Sequence, residues 1–420
     1  MTRRPIWYGW WVLVASTAAI TLESGALIFG FSVFFVPIVQ EFGWSRAATA
    51  AGSSLARLES GIFGPVEGWL IDRLGARTSM LIGIPIFGLG FILMSQMQSL
   101  IEFYVIYIVC FSFAASIGFF NSCSAAVANW FVRRRSLALG IMSSGIGIGT
   151  LLVPGVAWLI SEYGWRNAAF AVGVTTWIVG IPLALMMRHR PEDSGDHPDG
   201  DVPKFNVLSD STEGPANTPQ HVEVAINGRQ AIRMPTFWIL AFSFALRLMA
   251  TAAVSLHMFP FMVDIGIPPE MAGIMTIALG VLGIFGRLGY GWLGIHWGEK
   301  RTYAMGLISL LIGFVVLAFT TSIVGIVVAL VFYAPAYGGL ATQMLVLRGR
   351  YFGRRSFATI GGFMAPVLTL GTITGPIYAG WFYDTTGSYR VAFMSFAGLM
   401  ILALALLWIL PRPTNALAPA

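Results

Sequence analysis

The chain has 420 residues, 56% of them hydrophobic and only 10% charged, with a mean hydropathy of +0.76. Soluble domains carry roughly 25% charged residues, so this composition cannot supply a water-facing surface and excludes a soluble globular protein. The formal net charge is +6, but the basic residues are dispersed over alternate loops rather than gathered on one face, which argues against nucleic acid as a partner.

Apolar runs of about 20 residues recur along the chain, each long enough to cross roughly 30 Å of hydrocarbon. Lipid offers the backbone no hydrogen bonds, so these runs must be helices. Turn signals and charges divide them into twelve: 7–40, 47–71, 78–98, 102–130, 137–162 and 167–187, then 235–264, 270–295, 302–321, 323–347, 356–383 and 391–411. The first lacks a small-residue cleavage site and reads as a retained helix. Cys110 and Cys123 fall in one helix about 20 Å apart, too far for a disulfide, and read as packing residues. Between the sixth and seventh helices the stretch 188–234 holds Asp193, Asp196, Asp199, Asp201 and Glu213 among Gly, Ser and Pro. It cannot bury a core, and a flexible cytoplasmic linker is expected.

Loop charges set the orientation. With the N-terminus inside, the cytoplasmic set is Arg3, Arg4, Arg73, Arg77, Arg133, Arg134, Arg135, Arg188, Arg190, Lys204, Arg229, Arg233, Lys300, Arg301, Arg348, Arg350, Arg354, Arg355 and Arg412; outside lie Arg46, Arg166 and Arg390. The asymmetry puts both termini in the cytoplasm.

The halves repeat. The stretch Gly68–Arg77 ("GWLIDRLGAR") aligns with Gly291–Lys300 ("GWLGIHWGEK"), 223 positions on, and Trp130–Gly140 aligns with Tyr351–Gly361 at 221. Pro154 and Pro376 add a third marker. The expected architecture is therefore an all-α polytopic membrane protein of twelve transmembrane helices in two parallel six-helix repeats, 1–187 and 235–420, joined by the linker 188–234. Such repeats place a ligand between the halves near the bilayer midplane.

The pattern Gly68, Leu70, Asp72, Arg73, Gly75, Arg77 resembles the signature of the major facilitator superfamily in the loop after helix 2. The resemblance implies close helix approach at the glycines and a cytoplasmic latch built from Asp72 and the arginines, with Glu67 at its mouth. The second copy has Ile295 in place of the acid, so its latch is expected to be weaker. Within that superfamily, Tyr8–Leu13 ("YGWWVL"), Glu41–Arg46 ("EFGWSR"), Ser60–Pro65 ("SGIFGP") and Gly286–Gly294 ("GRLGYGWLG") resemble bacterial monocarboxylate transporters and their oxalate/formate-antiporter relatives. The resemblance implies that Arg287 in helix 8 binds a substrate carboxylate. The chain departs from the pattern in lacking the helix 1 lysine of animal monocarboxylate transporters and the helix 11 lysine of oxalate/formate exchangers, which counts against oxalate exchange.

Ionisable residues in hydrocarbon cost at least a few kcal/mol, so each needs a partner or a purpose. Six stand out: Glu23 in helix 1, Arg57 and Glu59 in helix 2, Arg247 and His257 in helix 7, and Arg287 in helix 8. Their sum, with His257 neutral, is a surplus of one positive charge, which suits a monoanion. Arg287 reads either as a bidentate clamp for a carboxylate or as a structural ion pair with a glutamate; its mate in the first half is Gly64, and that asymmetry favours the clamp. Arg57 is expected to pair with Glu23, while Glu59 faces a polar seam. His257 reads as a proton carrier or a satisfied core residue. Asn121, Tyr333, Tyr337 and Tyr378 can complete a polar pocket or pack. Gly145, Gly147 and Gly149 permit close helix packing rather than phosphate binding.

The function implied is a proton-coupled monocarboxylate symporter of the cell inner membrane, acting as a monomer. The alternatives are an organic-anion or dicarboxylate exchanger or exporter on the same fold and, further off, a membrane sensor that transports nothing. Neither a metal-ligand cluster nor a nucleophile–base pair is apparent, and no cofactor is expected. Single cysteines placed at Ser194 and Ser388 are expected to label from opposite sides of the membrane, Ser194 from the cytoplasm; labelling of both from outside overturns the topology.

Overall fold

The computed structural model describes residues 7–200 and 226–411. Arg3, Arg4, Lys204 and Arg412, and the linker acids Asp201 and Glu213, lie outside the described residues. Twelve long helices follow in chain order: α1 Gly9–Phe42, α2 Arg46–Leu74, α3 Ala76–Gln96, α4 Leu100–Trp130, α5 135–163, α6 165–186, α7 Pro235–Asp264, α8 Pro269–Trp297, α9 Glu299–Phe319, α10 Ile323–Phe352, α11 Phe357–Thr386 and α12 Arg390–Ile409. The sequence spans anticipated each of them to within five residues at either end. Ten helical stretches among the described residues are long and apolar enough to cross a membrane. One of them, Arg135–Met186, is two spans joined at Gly164, whose φ of 77° is a turn no continuous helix accommodates. α2 falls outside that set because Arg57, Glu59 and Glu67 lie along its 29 residues.

Buried apolar side chains form two clusters. One is drawn from α1–α6, with Leu345, Val346, Phe357 and Ala358 keyed into it, and the other from α7–α12. Cys110 and Cys123 are free thiols buried in the first. The halves meet where α2 runs along α11 and α5 along α8. Glycine sets both approaches: Gly61 lies against Thr369, Gly64 against Gly362 and Ala365, and Gly68 against the Ala358 carbonyl, while Gly291 and Gly294 lie against Ser136. Hydroxyls and an amide add bonds to the second seam, Ser143 to Thr342 at 2.8 Å and Gln343 to Ser136 at 2.9 Å. The repeat extends to backbone geometry, since Gly75 and Gly298 both turn at φ 82°.

Two helices are irregular where polar residues cluster. α1 widens into a π-turn over Ser24–Ile28, immediately after Glu23. α4 is a π-helix over Tyr107–Phe113 and breaks at Phe119 (φ −131°, ψ −100°). Such turns leave the regular i→i−4 ladder and recur at functional sites.

The expected linker differs from a free coil at both ends. Residues 188–200 dock on the ends of α3, α4 and α10. The His189 Nδ1 accepts from the Ala76 N–H (3.1 Å), Trp130 donates to the Arg188 carbonyl (3.0 Å), the Asp199 carboxylate accepts from the Arg133 N–H (2.8 Å), and Glu192 pairs with Arg354 (2.5 Å). Burial, reinforced by Arg190, lowers the His189 pKa to about 4, so the ring stays neutral and can accept. At the other end Asn227 and Gln230 close a capping box on the short helix Gly228–Arg233. Composition alone registered the acids but not the backbone amides and arginines they meet.

A Cβ at position 68 would overlap the Ala358 backbone. Gly68→Val is therefore expected to force the α2–α11 seam apart, destabilising the closed arrangement by about 1–3 kcal/mol. A cysteine at Thr359 should then label faster than in a Gly68 background, and an unchanged rate would show that the seam is slack.

Candidate functional site

Three helices of the second half bring four of the expected residues together. Arg247 on α7 is 2% exposed and Arg287 on α8 is 7% exposed. Neither has a hydrogen bond to the protein or an ion pair among the described residues, and the Nε atom of each is buried without an acceptor. Between them stand Tyr333 and Tyr337 of α10, one turn apart, with ring centroids at 5.9 Å and planes 12° from parallel. Arg247 is within electrostatic range of Tyr333 and of Tyr303 on α9, and Arg287 of Tyr337. The Tyr333 hydroxyl donates to the Thr251 carbonyl at 3.3 Å, which fixes the pair against α7. Tyr303, fully buried beside Arg247, carried no signal in the sequence that set it apart from a packing aromatic.

The remaining candidates lie elsewhere. Glu23 on α1 is buried, with no hydrogen bond or ion pair to the described residues. The pairing expected with Arg57 does not form: Arg57 is exposed and its charge is felt by Tyr107 of α4. His257 uses both ring nitrogens, Nδ1 with the Tyr389 hydroxyl at 3.1 Å and Nε2 with the Pro376 carbonyl at 3.0 Å, the environment of a satisfied core histidine. Tyr378 turns to α12, donating to Ser395 at 2.8 Å. Asn121 donates to Ser116 within α4 at 2.9 Å. The histidine, the amide and Tyr378 thus each bond to neighbours other than the arginines.

The latch also differs from expectation in its parts. Of the expected latch residues, Asp72 bridges the halves, its carboxylate accepting from the Ala358 and Thr359 N–H groups at 3.2 and 2.7 Å. Those are unsatisfied donors at the N-terminus of α11, where the helix dipole also favours a negative charge. Arg348 of α10 lies buried within range of Asp72, stacked 3.9 Å from the centroid of Phe357. The sequence had counted it only as a loop arginine. Arg73 instead covers Trp69 at 5.0 Å and is exposed, as is Arg77. Glu67 turns away from the latch and bonds to Ser116 of α4. Ile295 leaves the second seam without a counterpart to Asp72.

The sequence model of the Major Facilitator Superfamily matches residues 14–289 and 258–420. The chain belongs to this superfamily. It is 26% identical over 418 residues to Monocarboxylate transporter 12-B of Danio rerio, covering 95% of this chain and 86% of that protein. Monocarboxylate transporter 4 of Mus musculus is 25% identical over 410 residues, covering 96% and 83%. Among solved structures, the human organic anion transporter MFSD10 (TETRAN) superposes with a TM-score of 0.70 at 14% identity, covering 96% of this chain and all of the other. The proton:xylose symporter XylE does so at 0.73 and 15%, covering 97% of each. These structural likenesses establish the fold. The comparisons place the chain among transporters rather than enzymes.

Proposed function

We propose that this membrane protein is a secondary active transporter of small organic anions, carrying a monocarboxylate together with a proton by alternating access. The observation that carries the reading is the pair of buried guanidinium groups, Arg247 and Arg287, with no counter-charge among the described residues. A cation withdrawn from water costs several kcal/mol unless an anion joins it, and the planar fork of Arg287 is suited to a carboxylate. The tyrosine pair supplies an adjoining wall with polar edges. The relatives named as monocarboxylate transporters support the same substrate class.

In this reading 1–187 and 235–420 are the two rocking bundles, and 188–234 is the strap between them. The basic ends of the helices, with both termini, lie in the cytoplasm, in keeping with the loop arginines. The seams at Gly64, Gly68 and Ser136 then close the cytoplasmic side. The protein works as a monomer in the cell inner membrane. Glu23, a buried carboxyl at a π-turn, takes the proton that travels with the anion, its affinity for the proton rising when the substrate engages the arginines.

Counterflow of labelled carboxylates in proteoliposomes tests the substrate class. Arg287→Lys keeps the charge but loses the fork, and binding is expected to fall at least about tenfold, ~1.4 kcal/mol. Saturable, wild-type-like uptake by Arg287→Ala would remove the residue from the site. For coupling, Glu23→Gln is expected to retain exchange across the bilayer and to lose accumulation driven by a pH gradient. Intact accumulation would move the proton to another group.

A further inference from the structure

The face that α2 turns to α4 carries a second buried polar system, remote from the arginine cluster in sequence and placed on the opposite half. Glu59 and Glu67 are 7% and 1% exposed. Ser112 and Ser116 of α4 each donate a short hydrogen bond to one of them, to the Oε2 atoms of Glu59 and Glu67 respectively. Ser60 adds a contact to Glu59 at 3.5 Å, and the Asn121 amide donates to Ser116 at 2.9 Å. The other oxygen of each carboxyl, Oε1, is buried with no donor, and the two serines, one turn apart on α4, hold the two carboxyls at neighbouring positions. Two such acceptors can meet in a dry interior only with a proton between them, since like charges this close cannot both persist.

Among the described residues no cation competes with that assignment. α4 presents Tyr107 to α2 and turns Cys110 to Gly90 of α3, while its Glu102 caps its own helix start. Between 357 and 377 α11 contains no ionisable residue, and the ionisable group of α3, Arg77, is exposed at its start. On the outer part of α1, Glu41 is held by Arg166 and Trp165. α2 itself contributes the exposed Arg57, with Asp72 and Arg73 at its far end, where Arg348 of α10 meets Asp72.

Position makes the pair mechanical. Glu59 and Glu67 are about 12 Å apart along a straight helix axis, and Pro65 lies between them. A proline removes one rung of the hydrogen-bond ladder and permits bending there. The same segment supplies Gly61, Gly64 and Gly68 to the α11 seam. Bending α2 away from α11 therefore also changes the distance between the two carboxyls.

We propose that Glu59 and Glu67 form a two-carboxyl proton site that shares one proton while α2 is closed on α11, and that opening this seam breaks the pair and changes its proton occupancy. It is a second proton site, separate from Glu23, and its role in transport rests on the proton-coupled reading above. Nothing but a proton moves: it leaves the shared O–H···O bridge for water at the opened end and returns from water on closure.

Infrared difference spectroscopy of the protein in nanodiscs, stepped in pH without substrate, reads the bridge directly. The wild type should show a protonated-carboxyl band at neutral pH that is distinct from any band of the buried Glu23. Glu59→Gln and Glu67→Gln should each abolish it, because the amide donates to the surviving carboxylate, while Glu23→Gln should leave it in place. Ser112→Ala and Ser116→Ala, which keep both acids, should shift its frequency. Labelling of a cysteine at Thr359 should depend on pH in the wild type and lose that dependence in Glu59→Gln/Glu67→Gln. A band that survives both single glutamate substitutions, or an unchanged frequency in the serine variants, overturns the bridge; labelling that keeps its pH dependence in the double variant overturns the coupling to closure. The band is independent of substrate, so a wild type that transports no carboxylate would sink the substrate reading and leave this one intact.

Discussion

Charge withheld from water governs this molecule. Hydrocarbon excludes the usual remedy for an ionised side chain, so every arginine and carboxylate inside the bundle must find a partner, reach an aqueous edge or serve a ligand. The described residues use all three solutions. Arg73 and Arg77 reach the turn between α2 and α3, and Arg348 lies against Asp72 and the ring of Phe357. Glu59 and Glu67 turn to serines of α4. Only Arg247, Arg287 and Glu23 are left without an answer from the protein, and the functional reading follows from those three.

The same constraint explains why glycine sits where the halves meet. Without a hydrophobic drive between helices in lipid, close backbone contact supplies the packing energy. Gly64 and Gly68 on α2, and Gly291 and Gly294 on α8, let backbones approach where side chains would hold them apart. The contacts made this way are steric and directional, so they can be made and broken without exposing large apolar surfaces to water.

Helix number, order and boundaries were legible in the sequence because each follows from one quantity, the length of an apolar run against the thickness of a bilayer. The repeat was legible from paired motifs, and it survives in the matching turns at Gly75 and Gly298. The gathering of Arg247, Arg287, Tyr333 and Tyr337 was partly legible, since an arginine in an apolar run announces itself and tyrosines four apart share a face. Partners were not. Whether Arg57 meets Glu23 or water depends on how α2 is rotated, and a linear pattern does not fix rotation. The seam from Glu59 to Asn121 depends on a π-helical stretch and a break in α4, which change the register of Ser112, Ser116 and Asn121 in a way that no 3.6-residue periodicity reveals. The docking of 188–200 depends on backbone amides, which composition cannot report.

Ile295 stands where the first half has Asp72, and this single replacement makes the two seams unlike. One closes with a charge on a helix end; the other closes with fitted surfaces and neutral hydrogen bonds. A symmetric pair of clasps would release together, as parallel jaws do. With one ionic clasp and one neutral one, the two seams differ in what can loosen them: protonation or a competing cation acts on the carboxylate of Asp72 and has no such target between α5 and α8. That inequality is written into a position that looks, in the sequence, like a lost motif.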